Sequence, residues 1–304
     1  MATPSHLALT AVVGVALIGG GLWAWKRARG GSAVPPCGVA SSLSTGAGGG
    51  TWPNEPAGLT VLNDYDFGDS LSSQADGTPI GSTGWRVWRN GLIGGGGARV
   101  VDSTAPLSAP HVFQFSYPVG FPSGRDPAML ECVFSPAGGG GEGARELYWG
   151  FWWKPSDPFQ SDGSGVNKIA FIWTPTVTGN STDLLYFDLS PDPWRIRAMN
   201  DLIGGGGPSA GQRLEPNVDT TVVALAQWHR IEIYAKYSSA TAADGVLKWW
   251  VDGQLNGQYT NLKMVQDGGF DHVQFAPTYG GNTSDVKRQH DYYRIDHVRL
   301  SRGH

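Results

Sequence analysis

Apolar and polar residues alternate with a period of two along much of this chain, most clearly from Trp228 to Tyr237. Successive strand residues point to opposite sides. His229, Ile231, Ile233 and Ala235 therefore share one face, and Trp228, Arg230, Glu232, Tyr234 and Lys236 share the other. After a short polar turn the pattern returns, with Leu247, Trp249 and Val251 set against Lys248, Trp250 and Asp252. Upstream, Glu146, Tyr148, Trp152 and Lys154 oppose Leu147, Trp149, Phe151 and Trp153. Tyr186 and Asp188 oppose Leu185 and Phe187, and Arg195 and Arg197 oppose Trp194 and Ile196. In each case one side is core and the other carries rings and charges.

The same criterion predicts strands over 59–62, 85–88, 98–101, 111–117, 129–134, 146–153, 168–173, 184–189, 194–199, 221–226, 228–237, 246–251, 272–275 and 292–300. Many short β-branched and aromatic strands separated by turn residues predict an all-β, two-sheet antiparallel sandwich of jelly-roll type. Forty-five Gly and twenty Pro fit that reading and leave little room for long helices beyond the N-terminus. Leu-Ile-Gly-Gly-Gly-Gly occurs at 92–97 and at 202–207, but the flanks differ, so these are two mobile glycine loops rather than a repeat. Neither is followed by the Lys-Ser/Thr of a nucleotide loop.

The N-terminus breaks the pattern. Residues 7–25 carry no charge and are long enough to cross a bilayer as a helix, with Trp23 and Trp25 at the end and Lys26, Arg27 and Arg29 following. A cleaved signal peptide would carry its positive charges before the run, where none stand. Residues 1–29 are thus read as a membrane anchor with its basic flank, 30–58 as a flexible Gly/Ser/Pro tether, and 59–304 as one domain. The charge asymmetry argues for a cytoplasmic domain, whereas a surface of rings and charges fits an outer or virion surface. A net charge of −4 provides no basic field, which excludes nucleic acid as a partner. Cys37 and Cys132, the only cysteines, either pair in an oxidising compartment or remain separate thiols.

Three stretches carry a resemblance: Trp228 through Lys236 with its Trp-x-Arg-x-Glu spacing, Lys248-Trp249-Trp250-Val251-Asp252-Gly253, and Tyr293 through Leu300. Over 59–304 the chain resembles the concanavalin-A-like lectin/glucanase jelly rolls, among them laminin-G-like modules, laminarinases and polysaccharide lyases. The resemblance implies a glycan-binding sheet face and, as alternatives, a uronate-specific lyase or a structural surface protein. Aromatic faces pack on sugar C–H groups while charged groups bind hydroxyls or uronates. On that reading the binding residues are Glu146, Tyr148, Trp152, Lys168, Tyr186, Arg195, Arg197, Arg230, Glu232, Tyr234, Lys248 and Trp250. A lyase needs a carboxylate neutraliser and a base, and Arg197, Tyr234, Lys236 and His272 are of the right types.

The alginate lyases of this fold show R-x-E-x-R, Q-x-H and Y-F-K-A-G-x-Y strands, to which Arg145-Glu146-Leu147, Asp271-His272-Val273-Gln274 and Tyr292-Tyr293-Arg294 come nearest. The E-x-D-x-x-E of the glucanases is absent, so the carboxylate pair of a retaining glycosidase is missing. No cofactor is required. Asp64, Asp66 and Asp69 near the first strand, with Asp296 on the last, are candidate oxygen ligands for structural calcium.

Overall fold

The computed structural model describes residues 37, 52–68, 77–81, 83–88, 90–134, 143–174, 184–200, 212–239, 241–264, 269–281 and 283–303. The apolar run at 7–25 and the glycine loop at 202–207 lie outside the described residues. Among those residues there is no helix long and apolar enough to cross a membrane.

In chain order the strands are β1 (Thr60–Tyr65), β2 (Thr78–Pro79), β3 (Trp85–Trp88), β4 (Gly96–Val101), β5 (His111–Tyr117), β6 (Met129–Val133), β7 (Glu146–Pro155) and β8 (Lys168–Trp173). Then follow β9 (Leu184–Ser190), β10 (Arg195–Asn200), β11 (Gln212–Leu214), β12 (His229–Lys236), β13 (Gly245–Val251), β14 (Gln254–Leu262), β15 (His272–Phe275) and β16 (Asp291–Gly303). They form two antiparallel sheets. The first runs β14-β13-β12-β7-β16-β5-β4, with β1 also paired to β16, and the second runs β11-β10-β9-β8-β15-β6-β3-β2.

The alternation rule places the core correctly. Ile231, Ile233, Leu247, Trp249 and Val251 are all buried between the sheets, as are Leu147, Trp149, Phe151 and Trp153. Phe275 from the second sheet meets Trp149 at 4.7 Å and Phe151 at 4.9 Å, so rings from the two layers interlock. Each such side chain contributes roughly 1.5–3 kcal/mol by leaving water.

The structure adds the short strands β2 and β11 to those expected, and it differs more tellingly at two further places. The segment 221–226 forms no strand; Val222 is exposed, Val223 is buried in the core, and Leu225 packs half-buried against it. Its β-branched residues raised local propensity, but among the described residues it makes only single backbone bonds, Val223 N to the Trp194 carbonyl and Ala226 N to the Pro155 carbonyl, and no ladder. The reverse holds for β14, rich in Gln, Asn and Gly, which pairs with β13 through a two-residue turn. That turn is Asp252-Gly253, with φ of 53° and 84°, the left-handed pair that such a hairpin requires.

The chain also begins its packing before Leu59. Cys37 is joined to Cys132 by a disulfide with Cα atoms 5.6 Å apart, and its amide donates to the Val133 carbonyl at 2.6 Å. Residues 52–55, placed by composition in the tether, lie against the outward face of the first sheet.

Candidate functional site

The candidate binding residues fall on two faces rather than one. Glu146, Tyr148, Trp152, Arg230, Glu232, Tyr234, Lys236, Lys248 and Trp250 stand on β7, β12 and β13 of the first sheet. Lys168, Tyr186, Arg195, Arg197 and His272 stand on β8, β9, β10 and β15 of the second. Outward side chains of two stacked sheets point in opposite directions, with the layers themselves about 10 Å apart. Hence Tyr234 and Lys236 cannot act on the same sugar ring as His272 and Arg197.

The first face is closed at its centre by the chain's own N-terminal segment. Gly150 leaves a gap in the outward row of β7, and the Trp52 indole fills it; a Cβ at Gly150 would sit 2.6 Å from that ring. Next to it, Glu232 is fully buried and accepts bonds from Tyr148 Oη at 2.7 Å, Arg230 Nε at 2.9 Å, and the Asn54 amide and Nδ2 at 3.1 and 3.0 Å. Glu55 then takes Arg299 Nε at 3.1 Å and the Ser301 hydroxyl. Arg230, Tyr234, Lys248, Trp250 and Trp152 remain half-buried around this strap. Tyr234 donates to Glu146 Oε2 at 3.1 Å, and Lys236 pairs with the same carboxylate at 3.2 Å. Burial, and then the Glu146 carboxylate, push the Tyr234 phenol up to about 12. The phenol stays protonated near neutral pH.

The second face carries a continuous polar relay. Trp88 Nε1 donates to Glu131 Oε2 at 3.0 Å, Gln274 Nε2 donates to Glu131 Oε1 at 2.9 Å, and Trp173 Nε1 donates to Gln274 Oε1 at 2.9 Å. Four neighbouring strands, β3, β6, β15 and β8, supply one residue each. His272 stacks on Trp173 with centroids 5.5 Å apart and planes 6° from parallel, and its Nδ1 lies 2.6 Å from Asp271 Oδ1. Farther along, Phe171 and Tyr186 continue the aromatic floor, and the Lys168 ammonium stands 4.8 Å over the Tyr186 ring. Arg197 grips Asp188 with two bonds of 2.8 Å and donates to the Gly165 carbonyl, so its charge is already engaged. Arg195 lies two residues before it on the same side of β10.

Sequence reasoning named Lys168, Tyr186, Arg195, Arg197 and His272 here, quoted Gln274 only within a motif comparison, and missed Trp88, Glu131 and Trp173. The signal was present: His272 and Gln274 are two apart on one strand, and Glu131 is the only charge in the apolar run Met129-Leu130-Glu131-Cys132-Val133.

The aspartates are engaged elsewhere. Asp64 binds His297 and, at 3.0 Å, Arg299; Asp66 caps its own turn at Gly68 N; Asp296 accepts from the Leu107 and Ser108 amides. Among the described residues no group of three or more metal-ligating side chains comes together, while Asp69 lies outside them.

No protein-family profile matches the chain, and no curated protein matches it by sequence. Solved structures do. The chain is similar to the marine PL-14 alginate lyase from Aplysia kurodai, with 11% identity and a TM-score of 0.54 over 79% of this chain and 100% of that one. It is also similar to an alginate lyase from Chlorella virus (13%, TM-score 0.48, 73% and 95%). A third is the endo-β-1,4-glucuronan lyase from the fungus Trichoderma reesei (16%, TM-score 0.44, 68% and 87%). The likeness to the Aplysia enzyme is one of fold, a two-sheet antiparallel β-sandwich.

Proposed function

We propose that the protein binds a polysaccharide on the outward face of its second sheet. The Trp88–Glu131–Gln274–Trp173 relay carries this reading. It orients two half-buried indoles and fixes amide and carboxylate groups between them, which is the equipment for stacking on a sugar and bonding its hydroxyls. The fold shared with the Aplysia alginate lyase supports the same class of ligand.

Tryptophan fluorescence of the whole protein, titrated with alginate, glucuronan and neutral glucans, tests it. Trp173→Ala is expected to weaken binding by about 2 kcal/mol, roughly thirtyfold, while leaving the melting temperature within a few degrees. Trp250→Ala on the first sheet should bind as the parent does. The reverse pattern would move the site to the first sheet.

One observation favours a second reading, β-elimination of a uronate glycan. His272 Nδ1 lies 2.6 Å from Asp271 Oδ1, and with the ring proton held there Nε2 would serve as the base. The C5 proton would pass to Nε2, the C4–O bond would break as the C4–C5 double bond forms, and the leaving oxygen would take a proton from solvent. Lys168, on β8 of the same face, is the cation this reading assigns to the uronate carboxylate. Absorbance of unsaturated products, lost in His272→Ala and kept in Tyr234→Phe, is the expected result of that chemistry; no absorbance from any uronate polymer rules it out.

The apolar run at 7–25 supports attachment to a membrane, and the Cys37–Cys132 bond supports an oxidising compartment for the domain. Release of the protein from membranes by alkaline carbonate would count against the anchor.

A further inference from the structure

The geometry points to Ser108 as an activated nucleophile toward carboxylic esters, with His297 as its base and Asp64 as the residue that orients the base. The three meet where the first sheet forks. Along β16, Ile295 still pairs with Phe113 of β5, whereas Val298 pairs with Tyr65 of β1. One partner strand gives way to the other at His297, and there the register of β16 against β7 also shifts, between Asp296 and Val298. His297 takes the left-handed region with φ of 44°, which a side chain with a Cβ adopts only at a cost. A bulge of this kind re-aims a side chain. Here it turns the imidazole to Asp64 on β1 and to Ser108 in the loop before β5.

His297 Nε2 bonds Asp64 Oδ1, and Nδ1 lies 3.2 Å from Ser108 Oγ. The two ring nitrogens have unlike partners, one a carboxylate and the other a hydroxyl. A carboxylate only accepts, so the nitrogen facing Asp64 carries the ring proton, and in the neutral ring the lone pair faces the serine. The Asp296 carboxylate is spent on the Leu107 and Ser108 amides at 2.9 and 3.1 Å, which fixes the serine loop over the fork. Ser108 and His297 are half-buried, and the Trp52 indole stands 6.1 Å from the imidazole as an apolar wall for an acyl group.

Serine, imidazole and carboxylate joined in this order perform acyl transfer on unrelated folds. Ser108 Oγ attacks the ester carbonyl carbon as its proton passes to Nδ1. The C–O bond then breaks, the alcohol leaves with that proton, and the acyl group stays on Ser108. Water attacks the acyl carbon and gives a proton to Nδ1; the carboxylic acid departs as Oγ takes that proton back. The nucleophile's own amide, a usual donor to the forming oxyanion, is bonded to Asp296, and the loss of one such donor costs about 100- to 1000-fold in kcat. The substrate class is therefore an ester with a good leaving group, such as an aryl ester. β1, β5 and β16 belong to the first sheet, so this site stands apart from the glycan face on the second and does not depend on it.

The test is to treat the whole protein with a fluorophosphonate and, in parallel, to follow its hydrolysis of p-nitrophenyl acetate. A single phosphonyl group mapped by peptide mass to Ser108 is expected, together with ester hydrolysis that the label abolishes. Ser108→Ala should reduce hydrolysis to background. His297→Asn, a residue that tolerates the left-handed backbone, should slow labelling and hydrolysis by about 100-fold or more, the lower end of what a positioned base contributes. Asp64→Asn should lower kcat and leave KM unchanged, because it frees the ring to take the wrong tautomer. The parent's own labelling decides the question whether or not a variant folds: no label, or label spread over other serines, overturns the assignment. Labelling of Ser108 at the parent's rate in a folded His297→Asn protein overturns the role of the base. Either result leaves the three residues as a lock that ties the 102–110 loop to β1 and β16.

Discussion

Cys132→Ser is expected to lower the unfolding free energy by about 4 kcal/mol, which for a domain of this size is about 10 °C in melting temperature. The bond closes a loop of 95 residues, and cross-linking so long a loop removes much of the freedom of the unfolded chain. The native side is already shaped to receive it. Gly84 has φ of +82°, and a Cβ there would sit 2.6 Å from Cys37 Cα, so this position is kept free of a side chain and adopts a backbone that glycine tolerates. Asn63 Nδ2 and the Val133 carbonyl hold Cys37 from the other sides. Scanning calorimetry with and without a reducing agent checks this. Reduction should lower the parent's melting temperature to that of the variant and leave the variant unmoved; a parent indifferent to reduction would mean that the link adds nothing.

Glu232→Ala should cost about 3 kcal/mol or more, because it breaks a buried ionic network and leaves its donors behind. Tyr148, Arg230 and Asn54 all donate to this fully buried carboxylate. Arg230 is partly open to water and can recover some solvation, which keeps the loss at the lower end of the range for such pairs. Glu232→Gln retains one acceptor oxygen and should fall in between. Urea unfolding gives the magnitude, and amide exchange at Asn54 reports whether the 52–55 strap lifts. A strap that stays protected in the Ala variant would show that Trp52 and Glu55 suffice to hold it.

The fold was legible wherever side-chain period dominated. Strands 85–88, 111–117, 168–173 and 272–275 begin and end where alternation and turn residues placed them. Local propensity misled at 221–226 and hid β14, because an edge strand is defined by its neighbour rather than by its own residues. The site was legible by residue but not by face. Alternation says which side of a strand a residue takes; it does not say which sheet the strand joins. Glu232, read as outward, and His272, named only as a candidate base, both face outward, on opposite sides of the sandwich. Nor does composition reveal that Trp52-Pro53-Asn54-Glu55 supplies an indole and a carboxylate matched to Gly150 and Arg299, since each contact spans well over ninety residues.

A fragment begun at Leu59, the boundary that composition alone recommends, would therefore be a poor reagent. It would expose the Glu232 carboxylate and the socket at Gly150, and it would leave Cys132 as a lone thiol beside an emptied cleft. Under oxidising conditions two such molecules are poised to join through that sulfur, and the product would be a covalent dimer whose behaviour reports on the cut rather than on the protein.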